Sequence, residues 1–421
     1  YYKFMGRMSR IQPLPGSKWE RLTLCVAVDW MDEAARSKLK RIGLQQSKRS
    51  DQILTTIVDA VVRQPVSRTF GTGLDTYVYA LDASPEEGLS VMSEFQRVAQ
   101  SEVGYIYLRG NTTAGGELVF ESRTDRASKN TNQQTFTNTM FELVVSRNRD
   151  DIINRLQVVS HPRRKDTSNV VLFTLRDPNV GDTTVIEIPA GGAKSLVCPY
   201  TDPNNRTDRI GGVLVVQPVA TTDYTAFANA DGTGTNLTAN VSILGFTAGA
   251  TAATFVLNNS GAACFVTFLQ VRGLGIYDQQ DVIAEQEDSA SQVAYGEQTV
   301  TYDMPYQADP DVANGAAIYF LALYKDASAL VTSVSVHANQ SALMLQAALE
   351  REVGERIGIT ETVTGISAST VGYFIQSVRL VISPGGIVTV TWGLAPASLV
   401  AFWLLGTLGA SELGSTTRLG F

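Results

Sequence analysis

Histidine and cysteine are scarce in this chain: two histidines and three cysteines occur in 421 residues. Zinc and iron centres draw on clustered His and Cys ligands, so His161 and His337 leave little to build one from. Acyl transfer of the Ser–His or Cys–His kind needs a histidine beside the nucleophile. His161 is followed by Pro162 and a basic run, His337 ends a strand, and neither lies near a G-x-S-x-G. The odd, widely spaced set Cys25, Cys198 and Cys264 contains no C-x-x-C, which excludes a disulfide framework and a zinc ribbon. Cys25 and Cys264 sit in apolar strand-like runs and are expected to act as small hydrophobes. Positive charge is also short: the net charge of −7 gives no field that draws nucleic acid. The longest apolar stretch, Leu394 to Gly409, contains Pro396 and falls short of the roughly 18–20 residues of a membrane span. No nucleic-acid partner, stable membrane insertion, cofactor or metal is expected, and no enzymatic activity.

What is present points to folded domains. Hydrophobic residues make up 44% and charged residues 18%, and 421 residues exceed one ordinary core, so two to four domains are expected. After a turn holding Pro13, Pro15 and Gly16, Leu22, Leu24, Val26 and Val28 alternate with Thr23, Cys25, Ala27 and Asp29, the pattern of a half-buried strand. With Phe4 to Met8 before the turn, this reads as one hairpin. Ser50 is placed to cap a helix with an Ile53, Leu54, Ile57, Val58 and Val61 stripe. Ser84-Pro85-Glu86-Glu87 carries a helix-start signal ahead of Leu89, Met92, Phe95 and Val98. Gly104 ends that helix, and a hairpin through Tyr105–Leu108 and Leu118–Phe120 follows.

From about Asn169 to Ile276 short Val/Ile/Thr/Phe runs alternate with Gly, Asn and Asp clusters, as in a β-sandwich. Val312, Ala316, Tyr319, Phe320 and Leu323 then mark a helix, followed by strands at Ser333–Val336, Arg356–Thr360 and Gly372–Ile382. Past Pro384-Gly385-Gly386, Val388, Val390, Trp392 and Leu394 share one face. This closing hairpin can be laid over the opening one with a small gap: either two related barrel-like modules stand at the chain's ends, or amphipathic hairpins with Pro-Gly turns simply look alike. The fold class expected is α+β, β-rich and multidomain. Its segments are 1–30, part of a first barrel module; 31–166, an α+β unit; 167–280, an inserted β-sandwich; 281–345, a second α+β unit; 346–395, a second barrel module; and 396–421, a C-terminal docking segment.

Several of these stretches, in order, resemble the tail-tip and baseplate hub proteins of tailed phages and prophages, related to the hubs of contractile tails. They are Phe4-Met5-Gly6-Arg7-Met8 with Ile11; the Asp29-Trp30-Met31 helix start; Ala99 to Tyr107 with Gly116 to Arg123; Ile153 to Val158; Asp288 to Ser291 with Tyr295-Gly296 and Thr299 to Asp303; Gly372 to Val378 with Pro384-Gly385-Gly386; and Glu412 to Phe421. The resemblance implies a structural virion protein, a minor tail protein at the tail tip. It implies a homo-oligomeric ring, commonly a trimer, that joins the tail tube to a central spike or fibre, with the distal tail among its neighbours and assembly in the host bacterial cytoplasm. It also implies a half-barrel ahead of Tyr1, which the sequence given does not contain. Two rival roles are a host-attachment module that binds surface glycans through Tyr200, Tyr224 and Phe246 of the sandwich, and a cell-wall hydrolase.

Other features have a plain and a sharper reading. The basic run Arg147, Arg149, Arg155, Arg163, Arg164 and Lys165 is a solvated face or a subunit contact whose guanidinium forks meet a neighbour's carboxylates. The terminus through Phe402, Trp403, Leu413, Leu419 and Phe421 docks on its own chain or on an adjacent subunit. Asp231-Gly232-Thr233-Gly234-Thr235-Asn236 lacks the twelve-residue calcium pattern and reads as a turn, as does Gly71-Thr72-Gly73. Glu350, Glu352 and Glu361 read as solvated charges and not as a glycosidase pair.

Overall fold

The chain opens on an antiparallel hairpin of β1 (Arg7–Leu14) and β2 (Leu22–Val28), with a bulge between Met8 and Arg10. In this computed structural model all residues are described except 15–21, 40–41, 82–88, 147–150, 176–183, 201–208, 327–329, 364–366, 398–400, 403–416 and 419–421. The register sets Met8 against Ala27, Ile11 against Cys25 and Pro13 against Thr23. Since side chains alternate along a strand, these six share one face, and that face holds no charge. The opposite face carries Arg7, Arg10 and Gln12 beside Val26 and Val28, and Arg7 reaches Glu33 at 2.7 Å. Glu33 lies on α1 (Trp30–Arg36), whose cap Asp29 accepts the Met31 N–H at 3.0 Å, as the Asp29-Trp30 signal predicts. The strand expected to be half-buried is more open than that: Leu24 and Cys25 are exposed, because no second layer covers the pair.

The first α+β unit follows: β3 (Gln45–Arg49), α2 (Ser50–Asp59), β4 (Ser67–Phe70), β5 (Thr76–Ala80), α3 (Val91–Glu102), β6 (Tyr105–Arg109), β7 (Glu117–Glu121) and α4 (Arg123–Ser128). The apolar stripe of α2 packs on that of α3, burying Ile53, Leu54, Ile57 and Val58 against Val91, Phe95 and Val98. Two helix starts differ from expectation. Arg49 occupies the cap position of α2, while Ser50 is fully buried and its hydroxyl donates to Glu102 at 2.6 Å. The helix α3 begins at Val91, where Ser90 accepts the Ser93 N–H at 3.1 Å; the Ser84–Glu87 signal lies outside the described residues.

Next come β8 (Gln134–Thr137), β9 (Glu142–Ser146) and β10 (Arg155–Ser160), and then the sandwich. Its first sheet is organised by one long strand. The strands β11 (Arg163–Lys165), β12 (Val170–Thr174) and β13 (Ile186–Ile188) pair with successive parts of β19 (Cys264–Asp278), as do β15 (Arg209–Val216) and β16 (Tyr224–Phe227). The second sheet has the order β14 (Ala193–Pro199), β18 (Ala252–Asn259), β17 (Val241–Ala248). The core between them joins Leu172, Ile188, Val266 and Leu269 of the first sheet to Cys198, Val241, Phe255 and Leu257 of the second. A sandwich therefore forms where the composition changes.

The chain returns through β20 (Val282–Glu287), α5 (Ser289–Tyr295), β21 (Thr299–Met304) and α6 (Pro310–Tyr324). The three-stranded sheet β20-β10-β21 lays Leu156, Val158 and Met304 on Ala313, Ala316 and Ala317 of α6. The last module adds β22 (Leu330–His337), α7 (Ala342–Glu350), β23 (Arg356–Glu361), β24 (Ser367–Ile382) and β25 (Val388–Pro396). Its sheet is six-stranded, in the order β8-β23-β24-β25-β22-β9. Three of these strands thus come from 134–146 and 330–337, outside the 346–395 segment expected as the second barrel module. Fully buried Trp392, 5.2 Å from Phe136, centres a core that α7 closes with Met344, Ala347 and Ala348.

Candidate assembly surfaces and the joints behind them

The modules are tied to one another by buried charge. Glu121 at the end of β7 accepts Arg126 Nε at 2.9 Å and the Tyr107 hydroxyl at 2.8 Å, and pairs with Lys129. Arg126 lies 3.4 Å above the Tyr105 ring of the first unit and 5.2 Å from the Phe374 ring of the closing sheet. Lys129 donates to Gly354 C=O across the same boundary at 2.9 Å. Burial pushes the Glu121 carboxyl up, but its bonds and charges from Lys129 and Arg126 prevail and hold it below the usual carboxylate range. Glu352, expected to be solvated, is 5% exposed and pairs with Lys3 at 2.8 Å; Glu361 is likewise buried. A second joint runs from Gln307 to Asp75 at 3.1 Å and from Asp75 to Arg123 at 2.9 Å. Sequence patterning missed these residues, because a charge that pairs across modules leaves no periodic trace.

Of the four described residues of the basic run, Arg155, Arg163 and Arg164 are engaged within the chain. Arg155 pairs with Glu285 at 2.8 Å and Glu297 at 2.7 Å. Arg163 is 7% exposed at its side chain, 3.3 Å from Asp278, and donates to Tyr79 C=O. Arg164 stacks 4.5 Å from the Tyr277 ring, 3.7 Å from Asp166, and stays exposed with Lys165. Arg147 and Arg149 lie outside the described residues. At the C-terminus the backbone of Ala401–Phe402 pairs in parallel with Thr417–Arg418; Trp403, Leu413, Leu419 and Phe421 are outside the described residues.

The features weighed for chemistry fall out differently. His337 stacks on Phe141 with ring centroids 4.0 Å apart and has its Nδ1 3.3 Å from the Thr389 hydroxyl, and His161 lies between Asp281 and Asp303. Asp231 accepts both the N–H and the hydroxyl of Thr233, an Asx turn on the surface. Gly73 N–H donates to Asp51 at 3.0 Å, fixing that turn on the start of α2. Tyr200 and Tyr224 are each 4% exposed, and Phe246 packs 6.0 Å from Phe255, so the aromatics named for the rival glycan-binding role serve the sandwich core. Cys198 and Cys264 are buried, and burial pushes the Cys198 thiol up to about 12. Cys25 is exposed, a correction to its expected burial that follows from the bare hairpin. Among the described residues no group of three or more His, Cys, Asp or Glu is placed to hold a metal, and no helix is long and apolar enough to cross a membrane.

Among the described residues the uncharged face of the hairpin is an exposed apolar surface built on regular structure, with Ile11 at 65% and Met8 at 51% exposure; single apolar side chains elsewhere, such as Leu214 of β15 and Val293 of α5, are as open.

No model of a known protein family matches the chain, and no curated protein matches it. Among solved structures it is similar to the tail protein from Neisseria meningitidis MC58, at 9% identity and a TM-score of 0.49 over 93% of this chain and 79% of that one. It is also similar to the 43 kDa tail protein of prophage MuSo2 from Shewanella oneidensis, at 8% identity and a TM-score of 0.47 over 93% of this chain and 76% of that one.

Proposed function

We propose that the chain is a structural, non-enzymatic virion protein of a phage-type tail tip, which closes into a ring with copies of itself and links the tail tube to a central spike or fibre. The observation that carries the reading is the uncharged outer face of β1 and β2. A two-stranded hairpin alone in water is at most marginally stable, and this one leaves Met8, Ile11, Pro13, Cys25 and Ala27 exposed. Burying one such isoleucine is worth roughly 1.5–3 kcal/mol, which favours a partner of the same apolar character. A second copy is that partner, since heterologous contacts that close under rotation give rings. The ordered segments that resemble tail-tip hubs supply the kind of ring. Arg164 and Lys165, exposed on β11 of the sandwich, are secondary contact candidates.

Native mass measurement of the full chain tests the proposal together with Met8→Glu/Ile11→Lys. A ring is expected, with Cys25 protected from thiol reagents in it and reactive in the double variant, which falls to monomer. A wild-type monomer at all concentrations, with Cys25 freely reactive, rejects the reading.

A further inference from the structure

The sandwich hangs on two strands that continue out of the three-stranded sheet. β10 passes through His161 and Pro162 into β11, and β19 returns through residues 279–281 into β20. The pairing is regular on both sides of this neck, with Ser160 opposite Val282 and Arg163 opposite Asp278, but two residues face three across the gap. Pro162 has no N–H to donate, and the backbone bond that crosses the gap runs from Gln279 N–H to Pro162 C=O at 3.1 Å. Such a break in a ladder is where a two-strand connection bends.

His161 fills the break. Its Nδ1 lies 2.8 Å from Asp281 on the returning strand, its Nε2 lies 2.6 Å from Asp303 at the end of β21, and its backbone N–H donates to Gln307 C=O at 2.8 Å. An ionised carboxylate only accepts, and a neutral imidazole has one N–H to give. Both contacts are hydrogen bonds only when the ring carries two protons.

We propose that His161 is a proton-operated latch on the neck of the inserted sandwich: protonated, it ties the returning strand to the body sheet; deprotonated, it keeps one aspartate and releases the other. The charged groups set against it are Asp281 before β20 and Asp303 on β21, with Arg163 and Asp278 paired across the neck. Arginine keeps its charge throughout, and histidine is the side chain whose charge changes between about pH 5 and 8. The latch is therefore whole while the ring carries two protons and opens when it loses one. The sandwich also rests on an apolar seat of Leu44, Tyr79, Val213, Leu274 and Ile276. Opening the latch accordingly loosens the neck and does not detach the domain.

Hydrogen exchange of the full chain between about pH 5.5 and 8, corrected for intrinsic rates, reads this out at residues 279–284. Because the chain has two histidines, the ring nitrogens of His161 are assigned by comparison with His337→Gln. Neck opening should rise about tenfold with pH, the effect of losing one charge-assisted hydrogen bond. The rise should follow the His161 titration and leave the β18 amides unchanged. In His161→Gln the pH step should vanish, and in Asp303→Asn, which keeps the pair with Asp281, it should shrink. Wild-type exchange that is flat with pH, or an undiminished step in either variant, overturns the proposal.

Discussion

Replacing Arg126 by methionine tests how the modules are held together. Methionine keeps most of the stem and removes the charge. The side chains of Arg126 and Glu121 are 7% and 6% exposed, and their N···O distance is 2.9 Å. Removing one partner of a buried pair costs about 3–5 kcal/mol, because the other is left charged and unpaired. Glu121 keeps Tyr107 and Lys129, which go on stabilising its charge, so a loss at the low end of that range, near 3 kcal/mol, is expected. The stacking of Arg126 over Tyr105 is lost too. Urea unfolding followed by pulse-labelled hydrogen exchange of segments 117–121 and 356–361 separates this joint from the other modules, which need not unfold in one step. The second arm is Glu121→Gln with Arg126→Met. Neutralising both partners removes the stranded charge, so the double variant should be more stable than Arg126→Met alone. A single-variant loss under about 1 kcal/mol, or a double variant as weak as the two losses summed, would refute the pairing argument.

The same joint sets an acid limit. Glu121 is held below the usual carboxylate range by Lys129 and Arg126 against the pull of burial, so its contribution is present above the unfolded value and is lost as pH falls through the folded one. Exchange in segment 117–121 should rise below about pH 4, and at higher pH in Arg126→Met. Trp392→Ala should cost about 3–5 kcal/mol in denaturant unfolding, as an aromatic removed from a filled core does; a loss under about 1 kcal/mol would mean that the sheet does not close on it. Gly354 has φ of +83° and its Cα faces the Tyr107 hydroxyl. Gly354→Ala should therefore cost at least about 1 kcal/mol by thermal unfolding, and an unchanged midpoint would argue against that backbone.

What was legible in the sequence was what leaves a local pattern. The stripe of α2, the cap at Asp29, the Val/Ile/Thr runs of the sandwich and the face shared by Val390, Trp392 and Leu394 all follow from side-chain period and burial. Long-range assembly left no such mark. Nothing around Gln134–Thr137 announces that it pairs in parallel with Ile357–Thr360 more than two hundred residues later. Ser50 looks like a cap and instead satisfies a buried Glu102, a choice made by tertiary contact. Tyr200 and Tyr224 look like a binding pair until the two sheets close on them. The unpartnered hairpin face was half visible: its alternation was plain, but whether another layer covers it is a property of the fold.

The two terminal hairpins make the strongest case about assembly when set side by side. Each carries a bulge a few residues before its turn, between Met8 and Arg10 in one and between Ile375 and Ser377 in the other. In the closing hairpin the apolar face packs inward, with Ile375, Val390 and Trp392 fully buried beneath α7. In the opening hairpin, among the described residues, the comparable face has no helix over it and no charge upon it. A surface meant for water is ordinarily protected by charge or by a broken edge, and elsewhere this chain spends arginines freely to lock modules together. An uncharged outer face fits a surface that is covered by a partner. The two hairpins should then respond oppositely to one kind of change. Lysine at Ile11 should leave the unfolding of the single chain within about 0.5 kcal/mol of wild type while abolishing the proposed self-association. Lysine at Val390 should unfold the module whatever the oligomeric state. If Ile11→Lys instead unfolds the chain and leaves the assembly state of the survivors intact, the face is internal to one molecule and the proposed ring loses its support.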